Sequence, residues 1–146
     1  MNEQKLPQMY SLTAIGVATF LGSALAAGYM LAKNYKSLGQ ARMGQYALLG
    51  SIGLVLAFII LPTQFVSNLP AAVAVMIGQV VLVLFITNRL QGAMFKSFEE
   101  MGGQYHSMGR AVLVGVVASF AITFVWIFLV LLFGPDIAGV EAPPNP

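Results

Sequence analysis

Ser23, Gln79 and Thr123 are polar side chains that fall near the middle of long apolar stretches. A primary amide has two donors and an acceptor, and hydrocarbon satisfies none of them. Grouped at one depth, the three could line a polar path for a neutral solute. They could equally make interhelical hydrogen bonds, worth about 0.6–2 kcal/mol, that fix packing or register. Each hydroxyl can also bond a carbonyl one turn back, so packing is the favoured reading. His106, the single histidine, has Glu99, Glu100 and Tyr105 nearby, the ingredients of an acid–base or metal site. Their spacing matches no metal-ligand pattern such as HxxxH, and a solvated Gly-rich loop accounts for them better.

Other chemistry is excluded by composition. The chain has no cysteine, which removes disulfides, thiolate metal sites, iron–sulfur ligation and covalent haem attachment. One histidine cannot supply two axial haem ligands. No nucleophile–base arrangement, phosphate loop or basic–aromatic nucleic-acid surface is present. The expectation is a protein that is not an enzyme, with no cofactor, no metal and no nucleic-acid partner.

These side chains must be positioned by very apolar elements. Of 146 residues, 58% are hydrophobic and 8% charged, far below the roughly 25% charge of soluble domains. A helix needs about 20 apolar residues to cross about 30 Å of hydrocarbon. Leu12 to Ala32, Tyr46 to Val66, Ala71 to Asn88 and Ala111 to Phe133 qualify, and none contains a charge. A charge at the bilayer centre costs roughly 2.5–3.5 kcal/mol and is kept there for function. Its absence argues against a proton relay, a voltage sensor or a coupled antiporter.

Six of the seven Lys and Arg residues lie in two loops: Lys33, Lys36 and Arg42 after the first stretch, Arg89, Lys96 and Arg110 after the third. By the positive-inside rule both loops are cytoplasmic. Four crossings then make an all-α integral membrane protein of two hairpins, with both termini extracytoplasmic and Lys5 the lone dissenter. Residues 1–133 form the transmembrane domain and 134–146 a flexible extracytoplasmic tail.

Local signals refine this picture. Pro70 suits the first turn of a helix, with Ser67 or Asn68 as cap. The short SNLP connection predicts that the second and third spans are antiparallel neighbours, and Pro62 should bend the second. Leu90, Met94, Phe98 and Met101 recur at helical spacing, which predicts an amphipathic helix over 89–101 whose apolar face is a candidate partner surface. Met101-Gly102-Gly103 should end it. A faint repeat pairs Tyr35-Lys36-Ser37-Leu38 with Phe95-Lys96-Ser97-Phe98, and Met43-Gly44 with Met108-Gly109. Every stretch also carries small residues four apart, among them Gly53 and Ala57, and Ala74 and Gly78; such ladders let helix backbones approach closely.

The stretch LGSALAAGYMLAKNYKSLGQARMG, Leu21 to Gly44, is similar to a pattern in small bacterial membrane proteins with no assigned function. That resemblance implies no particular activity; the expected location is a bacterial plasma (inner) membrane. The chain does not resemble the four-span drug exporters, which carry an acidic residue inside the first span. The function expected is that of an oligomerising or complex-forming membrane subunit, its partners being the lipid bilayer and copies of itself or other subunits. The alternative is a homo-oligomeric channel or facilitator for a neutral or weakly selected solute.

Overall fold

The computed structural model describes residues 6–60 and 68–134. Within them the chain forms four helices: α1 Leu12–Ser37, α2 Ala41–Ile60, α3 Leu69–Glu100 and α4 Met108–Phe133. By length and composition alone each is long and apolar enough to span a membrane. The caps explain most boundaries. Ser11 accepts from Ala14 N–H at the start of α1, and Asn68 accepts from Ala71 N–H at the start of α3, where Pro70 occupies the first turn.

α1 and α3 end in the same way. Gly39 (φ 76°) and Gly102 (φ 71°) take the left-handed conformation just past the last turn. Gln40 N–H then bonds Tyr35 C=O, and Gly103 N–H bonds Phe98 C=O, the six-to-one bond of a Schellman cap. Only glycine adopts that φ without penalty.

α1 is not one straight rod. Gly22 (φ −130°, ψ 19°) and Ser23 (φ 63°, ψ −172°) leave helical geometry, and the chain doubles back between them. The proof is Tyr10, whose backbone bonds the side chain of Asn34. In a straight helix residues 24 positions apart would be about 36 Å from one another. α1 is therefore a hairpin, with a first limb over 12–21 and a second over 24–37. Ser23 starts the second limb, its hydroxyl accepting from Leu25 N–H. Small side chains let the limbs close: Ala14, Ala18, Ala26 and Ala27 are all buried.

This hairpin is the core of the molecule. α2, α3 and α4 each pack on α1, and among the described residues none packs on another. α2 follows the second limb, where Gly44 meets Ala32 and Gly28 meets Ser51; a Cβ on Gly44 would stand 2.9 Å from Ala32 C=O. α4 meets the tip, where Gly22 and Gly115 approach so closely that either Cβ would strike the other helix. α3 rests on both limbs, reaching Gly16 through Leu84 and the end of the second limb through Gln91.

Two expectations are corrected here. The first apolar stretch was expected to run once from end to end, placing the N-terminal segment opposite the basic loops. Instead Met9 and Tyr10 lie beside Tyr105, His106 and Asn34, at the same end as those loops. Hydropathy measures the length of an apolar run and not its direction, so a reversal inside the run escaped it. The second and third spans, expected as neighbours, do not pack on one another among the described residues; both rest on the second limb of α1 and flank a groove above it. Their connection and Pro62 fall outside the described residues, as does the tail beyond Gly134. The faint repeat does not extend to packing: Gly44 sits against Ala32, whereas Gly109 faces open space.

Candidate functional site

The most polar interior lies at the end of the bundle that carries the basic loops. Asn34 is buried near the end of α1, and its carboxamide holds the backbone of Tyr10 on both sides. Tyr10 N–H donates to Asn34 Oδ1 at 2.7 Å, and Asn34 Nδ2 donates to Tyr10 C=O at 2.9 Å. The same Nδ2 donates to Gln91 Oε1 at 3.2 Å, and Gln91 Nε2 donates to Leu31 C=O at 3.4 Å. One knot thus ties three segments: the chain ahead of α1, the second limb and α3. Asn and Gln suit this role because each offers donor and acceptor on one short arm. Thr87, one turn before Gln91 and fully buried, has no partner for its hydroxyl.

The segment held by Asn34 forms a strap. Met9 is fully buried and makes a single parallel bridge with Tyr105, its C=O accepting from His106 N–H at 2.8 Å. The rings of Tyr10 and His106 pack at 4.5 Å between centroids, tilted by 48°. Tyr105 in turn packs against Phe95 and Phe98 of α3 and donates to Glu99 at 3.0 Å. Its burial, then the hydrogen bond and the charge of Glu99, push its pKa up to about 12. Arg110 donates to His106 Nδ1 at 3.0 Å. Arginine can only donate, so Nδ1 is bare and the imidazole is neutral with its proton on Nε2. Partial burial first, then the charges of Arg110 and Lys33, hold the His106 pKa below its ordinary value. Glu99 and His106 are thus committed to different partners. Among the described residues no three metal-ligating side chains cluster.

The residues singled out from sequence are placed as follows. Ser23 forms the turn of the α1 hairpin and caps its second limb. Thr123 is exposed on α4, and Gln79 is half-buried on α3. Among the described residues no hydrogen bond joins the three. The amphipathic segment is continuous with α3 and stops at Met101 as the Gly pair requires. Its buried stripe, however, is Thr87, Gln91, Phe95 and Phe98; of the expected face only Phe98 is buried, Met94 is half-buried, and Leu90 and Met101 are exposed. Gln91 goes inside although isolated amides rarely do, because its two polar ends find partners there. Asn34 and Gln91 were missed altogether, although each is an amide beside an apolar run.

One further feature is a groove of about 320 Å³ between α2 and α3, floored by Ala24, Ala27 and Gly28 of the second limb. A second, wider one of about 490 Å³ lies against the first limb beside Val80 and Leu84. Both are almost wholly apolar and lie where the outer helices fail to meet. Comparison with protein-family models, with curated proteins and with solved structures finds no match to this chain.

Proposed function

We propose that the chain is a non-enzymatic membrane subunit that associates with other copies through the outward faces of α2 and α3. In this reading α2, α3 and α4 cross the bilayer, and α1 enters from the basic face and returns to it. The limbs support that reading: at 1.5 Å per residue they reach only about 15 and 21 Å, short of about 30 Å. Irregular backbone at membrane depth is tolerated where protein buries it. The tip at Gly22 is buried, with α4 alongside. Three crossings put the strap and both basic loops on the cytoplasmic face and the end of α4 on the other. Lys5, four residues ahead of Met9, then needs no exception to the positive-inside rule.

The observation that carries the association is the division of labour among glycines. Gly22, Gly28, Gly44 and Gly115 are consumed inside the chain by close helix approach. Gly53 and Gly78 face open space, and Ala57 and Ala74, one turn along each helix, are exposed beside them. Small residues exposed to lipid gain nothing there, whereas small-xxx-small faces let a second helix come close. The facilitator reading, a pore built from several copies, has less behind it, because Ser23 is used at the turn of α1 and Gln79 is half-buried within the chain.

The test uses the cysteine-free background. Gly53→Cys and Gly78→Cys, reconstituted in liposomes and oxidised, should cross-link between copies, while Val117→Cys on α4 should not. Gly53→Leu and Gly78→Leu should shift the wild-type oligomer toward monomer on blue-native electrophoresis with the fold intact. A wild type that runs only as a monomer would refute the reading.

A further inference from the structure

We propose that the groove between α2 and α3 is a binding slot for one acyl chain of an anionic phospholipid, whose phosphate lies beside Lys36, Arg42 and Arg89. The slot needs the membrane placement above but not the self-association.

Shape comes first. The slot exists because two helices rest on one limb of α1 without touching, and its floor of Ala24, Ala27 and Gly28 keeps it deep. Its volume lies at the lower end of ligand-binding pockets, about 300–1,000 Å³. On α2 it runs from Met43 to Leu54, about 16 Å at 1.5 Å per residue. That is close to half of the hydrocarbon thickness of about 30 Å, the depth of one leaflet.

The lining excludes a polar solute. Val83, Ile86, Leu90 and Leu54 form the walls. Ser51, the polar side chain in the floor region, already donates to Leu48 C=O at 2.7 Å and asks nothing of a ligand. A hydrocarbon chain is the occupant that loses no hydrogen bond there.

The mouth selects the headgroup. Tyr35, Met43 and Leu90 line the slot at the basic end, and each has a cationic neighbour in sequence: Lys36, Arg42 and Arg89. Three different segments thus carry a cationic residue within one position of the lining at that end, Arg89 with its guanidinium over the neighbouring Phe85 ring. Tyr46, also a lining residue and largely exposed, suits the headgroup level, where an amphipathic ring is best placed. A helix from a second copy fits less well. The small-residue face of α3, Ala74 and Gly78, is not part of the lining, and the walls are large branched side chains.

The purified chain in mixed micelles with phosphatidylglycerol or phosphatidylcholine is examined by native mass spectrometry. Phosphatidylglycerol should be retained in preference. A basic group at a leaflet surface is worth about 1 kcal/mol, so Arg42→Gln and Arg89→Gln should each cut that preference about fivefold. Gly50→Phe, at a lining position with open space beside it, should reduce retention of both lipids to background, while Val117→Phe on α4 should not. A phosphatidylglycerol with a mid-chain diazirine gives a readout on the wild type, and its adducts should map to residues 43–54 and 83–90. Glycerol phosphate without acyl chains should not compete. Adducts scattered over α4, equal retention of the two lipids, or lipid binding untouched by Gly50→Phe while the oligomer changes would each overturn the proposal.

Discussion

The backbone of Tyr10 is gripped on both its polar groups by the side chain of Asn34, 24 residues further along the chain. That single relationship closes α1 into a hairpin and fixes where the strap lies. Asn34→Leu leaves the Tyr10 N–H and Gln91 Oε1 buried without partners and should cost about 2–4 kcal/mol, because an unmet buried group forfeits its whole desolvation. Gln91→Leu removes one partner and leaves the grip on Tyr10, so about 1–2 kcal/mol is expected. Thr87→Val should go the other way, stabilising by about 1 kcal/mol, since the hydroxyl it removes is buried and unpartnered. Thermal unfolding of the three variants in one detergent gives the order, and a destabilised Thr87→Val would mean that the hydroxyl has a partner.

The tip of the hairpin makes two opposed predictions at adjacent positions. Gly22 has ordinary φ, but its Cβ would run into Gly115 C=O on α4, backbone that cannot step aside. Gly22→Ala should therefore destabilise by about 1–3 kcal/mol, the usual range for overpacking. Gly115→Ala would set its Cβ 2.9 Å from the Leu21 Cβ and 3.0 Å from Ala18 C=O, a lesser overlap, and should be milder. Ser23 is the converse case. Its φ of 63° belongs to a region that is essentially glycine's, at a cost of order 1–3 kcal/mol. Gly at a helix cap loses only a few tenths of a kcal/mol relative to Ser. Ser23→Gly should raise thermal stability, and Ser23→Val should lower it sharply.

The apolar stretches, the Asn68–Pro70 entry to α3 and the Gly102–Gly103 exit were all readable, because each depends on the chemistry of a few adjacent residues. The reversal at Gly22–Ser23 was not, since LGSALAAG reads as one continuous apolar run and carries no proline or loop polarity. Two signs of it were present. Lys5 disagreed with the charge rule, and Asn34 and Gln91 stood as amides at the margins of apolar segments. Neither sign reveals its partner, because a contact across 24 or 57 residues is a property of the fold. The slot between α2 and α3 was hidden for the same reason: it is the gap left when two helices pack on a third.

The strap should loosen in acid. The His106 pKa lies below its ordinary value, so the folded chain favours neutral imidazole and the unfolded chain takes up a proton first as pH falls. Stability from this group is therefore present above about pH 6.5, the unfolded value, and declines as pH drops below it. Protonation would also put a proton on Nδ1, which accepts from Arg110. Hydrogen exchange at residues 9–11 and at the His106 amide should slow less between about pH 7 and pH 5 than intrinsic exchange does, an excess that marks the loosened strap. In His106→Gln that excess should vanish. A strap whose protection ignores pH in the wild type would show that the imidazole does not hold it.

The side of the membrane on which the strap lies separates a hairpin from a crossing. Leu6 is exposed, and Lys36 and Arg110 lie at the same end of the bundle. Single cysteines at Leu6 and Lys36 in sealed right-side-out vesicles should be equally inaccessible to a membrane-impermeant maleimide and equally reactive once the vesicles are opened. If α1 crossed the bilayer, Leu6→Cys would label from outside while Lys36→Cys stayed protected, because the two ends of a straight helix would stand on opposite faces. Asn34→Leu makes the experiment sharper. With the grip on Tyr10 gone the limbs have lost their strongest polar tie, yet the first limb at about 15 Å still cannot reach across about 30 Å unless the tip also straightens. Protected Leu6→Cys in the Asn34→Leu background would show that the reversal at Gly22–Ser23 holds by packing alone. External labelling there, with protection in the wild type, would show that the Tyr10–Asn34 bonds are what keep α1 folded on itself.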